Sequence, residues 1–345
     1  MKLHRKLDAQ STPLLGPLAL AIGNFDGVHR GHQAILDATR SAASRLGLEP
    51  AAMTFAPLPR EYFATLRGDT ALAPARLMSV TEKLAAFVQS HMRHVFIPHF
   101  NHTFASLTPL EFMAALRHLN VKWLMVGEDF RFGAKRAGDV AMLREYGSAH
   151  GFEVETMADI ADANGKTNGE RISSTAIRSA LGNGDLSAAT RMLGRPYSIV
   201  GRVTHGKKLG RTLGFPTANV TLTGRKPALA GVFAVKFELV TRGLEGVVRT
   251  SAEKSANAAS SFLGVANLGT NPVVSIENRH HLEVFLFDFP NKNSENGLYG
   301  RRVQVEFIEK IRDEQNFAGP DALKALVVQM HDDCAEAKRI LKIGT

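Results

Sequence analysis

Up to about residue 180, short apolar runs alternate with stretches whose apolar positions recur every three or four residues. Residues 18–22, 51–55, 94–97 and 122–126 read as buried strands. Residues 33–46, stopped by Gly47, and residues 79–88 read as helices. Strand and helix in alternation predict an α/β domain with a parallel sheet covered on both faces. Ligands of such sheets sit beyond the carboxyl ends of the strands. The second half has a different rhythm. Residues 197–203, 231–240, 263–266, 282–287 and 302–311 read as strands parted by Gly, Pro and Asn, with little helix between them. That pattern predicts a small antiparallel β-barrel. A closing helix, opened by Pro320, carries the apolar stripe Leu323, Leu326, Val327, Met330, Cys334 and Leu341. Leu181-Gly182-Asn183-Gly184-Asp185 is the expected seam, giving domains 1–186 and 187–345. Residues 241–261, small and polar without period, read as a loop inserted between two barrel strands.

The length of 345 residues fits two domains of about 150 residues each, and a content of 44% hydrophobic and 22% charged residues is that of an ordinary globular chain. Cys334 is the single cysteine, so an intrachain disulfide and a cysteine-based zinc cluster are excluded. Its place on the apolar stripe reads as a buried structural thiol. A reducing, cytoplasmic setting is expected. Lys2, Arg5 and Lys6 precede an apolar stretch, but Gly16 and Pro17 interrupt it and it is far shorter than the ~20 residues a membrane span needs. No membrane association is expected. The net charge of +9 is uneven: 20 Lys/Arg stand against 18 Asp/Glu up to residue 186, and 22 against 15 after it. A basic second half suits an anionic ligand, either polyphosphate or nucleic acid. The charges are dispersed, not gathered in blocks, which favours the small ligand.

The strongest local signal is Gly23-Asn24-Phe25-Asp26-Gly27-Val28-His29-Arg30-Gly31-His32, at a strand-to-helix turn. Glycines admit close backbone approach, the helix start offers free N–H groups, and the two histidines can donate to a polyphosphate. A second anion site is expected where Ser173 precedes a helix running to Leu181, with Ser174, Thr175 and Arg178 in its first turns. In the second half, the span from Gly201 to Lys207 fits G-x-x-x-x-G-K, but Lys208 stands where a P-loop needs Ser or Thr. It fails as a Walker A motif. On its own it reads as a basic hairpin.

Taken in order, these segments resemble the bifunctional bacterial riboflavin kinase/FAD synthetase family. The first ten-residue string resembles that family's adenylyltransferase site. Thr54-Phe55-Ala56-Pro57 with Pro59-Arg60-Glu61-Tyr62-Phe63, Val126–Gly133 and Ile172–Arg178 continue the likeness. So do Gly206-Lys207-Lys208-Leu209-Gly210-Arg211 with Pro216-Thr217-Ala218-Asn219, Leu282-Glu283-Val284, and Ile311-Arg312-Asp313-Glu314 with Phe317. The resemblance implies a Rossmann-like nucleotidyltransferase domain followed by a riboflavin kinase-like barrel. It implies His29, His32 and Glu283 as catalytic, the last as the kinase base. It implies ATP contacts from Gly23 to Gly27 and at Gly31, Ser173, Ser174, Thr175, Arg178, Gly206, Lys207, Gly210 and Arg211. Flavin contacts are implied at Asp129, Phe130, Arg312 and Glu314, and Mg2+ at Thr217 and Asn219. Riboflavin, FMN and ATP would be the partners, with no nucleic acid, and the oligomeric state is left open. No FAD-binding Rossmann fingerprint is present, so flavin is expected as substrate and product.

Two positions depart from the family's pattern: Phe285 stands where histidine is usual and Val273 where threonine is usual. Neither carries an assigned step. Two rivals remain: another nucleotidyltransferase, for which the barrel has no use, and a basic binding protein that has lost the chemistry, for which the motif residues should be missing. The remaining histidine pairs, His91 with His94 and His99 with His102, are expected to be surface or helix-end residues.

Overall fold

Strand β2 (Leu18–Ile22) is buried along its whole length, with Leu18, Leu20 and Ile22 on one face and Ala19 and Ala21 on the other. It is a central strand of a sheet, as an uninterrupted apolar run demands. The computed structural model describes residues 1–7, 16–158, 171–206, 213–222, 226–240, 261–270, 280–289, 298–315 and 321–343. They form two compact units. The first comprises Met1–Pro74 with Lys83–Ser173, the second Ala75–Glu82 with Ser174–Thr345.

The first unit holds a six-stranded, all-parallel sheet in the order β1-β4-β3-β2-β5-β6. The other strands are β1 (Lys2–His4), β3 (Glu49–Met53), β4 (His94–Phe96), β5 (Val121–Gly127) and β6 (Glu153–Met157). Helix α1 (Arg30–Leu46) lays Ala42 and Ala43 against the alanine face of β2 with Trp123 and Met125. Small residues on both sides allow that close approach. Helices α5 (Pro109–His118) and α6 (Val140–His150) cover the other face, where Phe112, Met113, Leu116 and Leu143 meet Leu20, Met53 and Leu124. Helices α2 (Pro59–Leu66), α3 (Val80–Gln89) and α4 (His102–Ala105) complete the connections. The edge strands β1 and β6 are not anticipated from the sequence, because neither carries a buried apolar run.

His94 departs from the surface position expected of it. It is buried on β4, its Nδ1 lies 3.0 Å from His4 Nε2, and its Nε2 lies 2.6 Å from Glu49 Oε2. The carboxylate arrives from β3, 45 residues away in the chain, so local spacing cannot reveal it. Hydrogen bonding to His94 holds the Glu49 carboxyl below its usual range.

The second unit is a closed antiparallel barrel in the order β10-β11-β8-β7-β12-β9. Its strands are β7 (Ser198–Thr204), β8 (Thr217–Val220), β9 (Gly231–Leu239), β10 (Ser261–Thr270), β11 (His280–Leu286) and β12 (Arg302–Arg312). Phe233, Phe237 and Phe307 are among its fully buried side chains. Closure removes the unpaired edges that open antiparallel sheets must otherwise protect. Two short helices precede the barrel, α7 (Ser174–Gly182) and α8 (Leu186–Leu193). The second begins at the expected seam, where Asp185 caps it by accepting from the Ala188 amide at 2.8 Å. Residues 75–82 also belong here: buried Glu82 accepts from the Val200 amide of β7 at 3.0 Å and from the Ser79 amide at 2.6 Å. Burial pulls the Arg195 guanidinium down to about 10, against the opposing pull of Glu82 and Tyr197.

Helix α9 (Ala322–Leu341) lies on the outer face of β9 and β10, where Ala337 and Cys334 pack with Val232, Ala234, Val265 and Phe287. Burial, with Asp333 beside it, pushes the Cys334 thiol up to about 11, which fits an inert packing residue. Leu323, placed on the stripe from sequence, is exposed; the buried positions include Asp333 and Ala337. Asp333 is buried because Arg312 grips it with both nitrogens at 2.7 Å.

Candidate functional site

In the first unit, β2 pairs with β3 on one side and β5 on the other. The chain winds outward in both directions from that pair, so the carboxyl ends of β2 and β5 mark the topological switch point. The turn 23–32 leaves β2 there, and the segment 127–133 leaves β5 there. Both segments singled out from sequence therefore emerge at neighbouring strand ends.

The turn is a tightly determined piece of backbone. Phe25 and Val28 hold φ of 47° and 38°, and Gly27 holds 88°. Non-glycine residues rarely adopt such values, and surrounding structure must enforce them. Phe25 is fully buried and meets Phe87 edge-on at 5.3 Å. The Asn24 carbonyl accepts from the Thr54 hydroxyl at 2.9 Å and from the Lys83 ammonium at 2.7 Å. The Val28 carbonyl accepts from the Gln33 amide at 2.8 Å.

His29 caps α1, its Nδ1 accepting from the His32 amide at 3.3 Å, and the two imidazoles stack with centroids 3.7 Å apart. A β-carbon at Gly31 would stand 3.2 Å from the His29 ring, a tight approach that the imidazole would have to yield to. Burial, then the neighbouring His29 and Lys83, hold His32 well below the ordinary imidazole value. It stands neutral at pH 7, with its Nδ1 buried and unpartnered. Such an atom beside the positive end of a helix is a ready partner for an anionic ligand. Asp26 and His29 are buried, while Asn24 and Arg30 are exposed.

On the β5 side, Asp129 is exposed and lies 3.3 Å from Arg171, and Phe130 stacks on Phe132 at 5.8 Å. An edge-to-face aromatic set, Phe55, Tyr62, Phe63, Phe100 and Phe104, borders the same core. Ser173 closes the first unit, whereas Ser174, Thr175 and Arg178 open α7 of the second. Arg178 Nε donates to the Ala75 carbonyl at 2.6 Å.

In the second unit, β11 alternates strictly: Leu282, Val284 and Leu286 face the interior, and His281 and Glu283 face outward. Glu283 is registered opposite Asn219 of β8 and opposite Asn267 of β10. Opposite residues of antiparallel strands share a face with β-carbons about 5 Å apart. The next row is Thr217, Phe285 and Val265, bordered by α9 through Phe285 and Phe215 with His331. On the other side His281 opposes Gly269, and a side chain at Gly269 would occupy the space of the Glu314 carboxylate. Glu314 therefore reaches the same face as Glu283, one row away. Gly206 plays the matching part for Asn219, whose amide fills the space a β-carbon there would take.

Thr217 and Asn219 contribute neutral oxygens on one face, a donor set that suits a hard divalent cation shared with phosphates. Arg312, expected near flavin, is committed to Asp333. Lys207, Gly210, Arg211, Val273, residues 241–260, Phe317 and Pro320 lie outside the described residues. Sequence reasoning missed Lys83, Thr54 as its partner, and Asn267. A lysine at the start of an amphipathic helix carries no sign that its ammonium is buried.

Residues 12–176 match the FAD synthetase family and residues 193–341 the riboflavin kinase family. Over 98% of both chains the protein is 42% identical to the bifunctional riboflavin kinase/FMN adenylyltransferase of Haemophilus influenzae. It is 41% identical, over 95% of each chain, to the enzyme of that name from Escherichia coli strain K12. Among solved structures it superimposes with a TM-score of 0.71 on a crystal structure described as a macrolide-efflux protein from Streptococcus pneumoniae. That pair is 26% identical and covers 97% of this chain and 99% of the other. Among the described residues, no helix is long and apolar enough to cross a membrane.

Proposed function

Because the chain belongs to the bifunctional riboflavin kinase/FMN adenylyltransferase family, we propose that each half carries one of two consecutive transfers, with the functional division at residue 186. The observation that carries the reading is the pair of unlike sites, a buried histidine turn at a sheet switch point and an outward carboxylate on a barrel strand.

The second half phosphorylates riboflavin. Its ribityl 5′-hydroxyl attacks the γ-phosphorus of ATP, the bond to the β-phosphate oxygen breaks, and ADP leaves. An alcohol is a poor nucleophile until its proton is removed, and Glu283 is the base that takes it. Asn219 and Asn267, in register with it, orient the ribityl and phosphate groups. Thr217 and Asn219 would hold a magnesium ion, which supplies charge neutralisation on the phosphates. The basic residues Lys207 and Arg211, with Gly206 and Gly210, border the nucleotide, and Glu314 meets the flavin. Arg312 acts at the flavin end by fixing β12 to α9.

The first half adenylylates FMN. An FMN phosphate oxygen attacks the α-phosphorus of a second ATP, and pyrophosphate leaves. A phosphate is already ionised near neutral pH, so the work is positioning and charge stabilisation. Residues Gly23 to Gly27 and Gly31 admit the nucleotide, His29 and His32 donate to the phosphates, and Ser173, Ser174, Thr175 and Arg178 hold pyrophosphate oxygens. Asp129 and Phe130 lie on the flavin side. The single cysteine fits a cytoplasmic enzyme, and the dispersed basic charge fits small anionic substrates without nucleic acid.

Purified protein incubated with riboflavin, ATP and magnesium, followed by chromatography of the flavins, tests the reading. FMN and FAD together are expected. Formation of neither overturns it.

A further inference from the structure

The adenylylation turn is supported from below by a cation that no motif includes. Lys83 lies on α3 with 4% of its surface exposed. Its ammonium donates to the Asn24 carbonyl at 2.7 Å and to the Thr54 hydroxyl at 3.1 Å, and Thr54 donates in turn to the same carbonyl at 2.9 Å. Asn24, Thr54 and Lys83 thus close a hydrogen-bonded triangle on one peptide group, the peptide that enters the positive-φ residue Phe25. A buried ammonium is costly unless it is well partnered. Here its partners include the carbonyl at the start of the turn and the hydroxyl that also donates to that carbonyl.

We propose that Lys83 is a positioning residue of adenylyl transfer: by gripping the Asn24 carbonyl it sets the path of residues 24–28 and with it the placement of the two imidazoles toward the nucleotide phosphates. It rests on the assignment of that turn to FMN adenylylation. Three observations support it. Phe25 and Val28 both hold left-handed backbone, which relaxes unless anchored at its entrance. The Asn24 carbonyl, satisfied twice from below, cannot rotate toward the ligand side. The positive charge lies close enough to His32 to help hold it neutral, so the imidazole meets phosphate as a neutral donor above a fixed buried cation. In this role the lysine is not assigned a contact with a reacting atom. It acts through the turn.

Lys83→Met should lower kcat/KM for FAD formation from FMN by about 10²-fold, the scale of a displacement near 1 Å at a reacting centre. The KM for ATP should rise, while FMN formation by the same polypeptide stays within twofold and serves as the folding control. Lys83→Arg should recover at least tenfold of the loss. Thr54→Val, a milder change that keeps the charge, should cost about fivefold with the same rise in KM, and it decides the matter if Lys83→Met fails to fold. FAD formation by Lys83→Met within threefold of wild type overturns the proposal. So does a loss that tracks a lowered unfolding temperature with an unchanged KM for ATP, or an unaffected Thr54→Val enzyme. His32→Ala separates the two levels of inference. If it abolishes FAD formation while Lys83→Met does not, the lysine proposal alone falls; if His32→Ala is fully active, the site assignment falls and the lysine proposal with it.

Discussion

The two regions proposed to handle nucleotide differ in how they are built. The turn 23–32 is buried from Phe25 to His29, conformationally strained and pinned by hydrogen bonds from two side chains outside it, Thr54 and Lys83. The face around Glu283 is the outside of a barrel, reached by alternation along a strand and bordered by a helix. On the proposed assignment the difference follows the nucleophile. A phosphate that needs no base gains from a rigid arrangement of donors, and rigidity comes from burial. A hydroxyl that must lose a proton needs a carboxylate able to exchange with solvent between turnovers, so an outward strand position serves it.

Separate substitutions test how sharp that contrast is. The largest effect is expected from Glu283→Ala, which should lower FMN formation by about 10²–10⁴, the range of general-base catalysis, while leaving riboflavin binding and FAD formation from supplied FMN intact. Equal losses in both reactions would erase the distinction between the regions. His32→Ala is the mirror experiment. Loss of one preorganised donor should lower FAD formation by about 10²–10³, with FMN formation unchanged.

A third substitution asks what holds the open face in shape. Asp333→Asn leaves the Arg312 guanidinium without its charged partner and should cost about 3 kcal/mol of stability, read as a lowered denaturant midpoint. If Arg312 works by fixing β12 to α9, kinase activity below that midpoint should also fall; unchanged activity would show that this tie is not what Arg312 contributes.

The smallest effect concerns pH. His32 sits well below 6.5 because of burial and its neighbours His29 and Lys83. Between about pH 6.5 and 8 it stays neutral, so the rate of FAD formation should show no limb from an imidazole there; a limb near pH 6.5 that His32→Ala removes would contradict the buried arrangement. In stability the sign is the same. The folded state binds fewer protons than the unfolded chain, so the contribution is complete above 6.5 and is lost as pH falls through the lowered value. His4, lowered by burial and by His94, adds to the same decline.

Local pattern was enough for the strands that carry buried apolar runs, for the strand-to-helix placement of the histidine turn, and for the change from parallel to antiparallel character at the seam. These are properties of neighbours in the chain, and periodicity and glycine spacing record them directly. The edge strands β1 and β6 and the short strand β8 escaped, because pairing partners rather than composition make them strands. The compact units divide at Ser173/Ser174, before the seam expected at 181–185, and residues 75–82 pack with the second unit.

Chemistry divided along the same line. His29, His32, Glu283, Thr217 and Asn219 were candidates from the sequence and its family resemblance, and their roles stand as proposed. Only the folded chain decided that Asn267 stands in register with Glu283, that the Glu314 carboxylate rests on Gly269, that Arg312 is held by Asp333, and that Lys83 is buried beneath Asn24. Each of those joins residues 16 or more positions apart. Hydrogen bonds and burial act through space, and a one-dimensional pattern carries no record of distances across it.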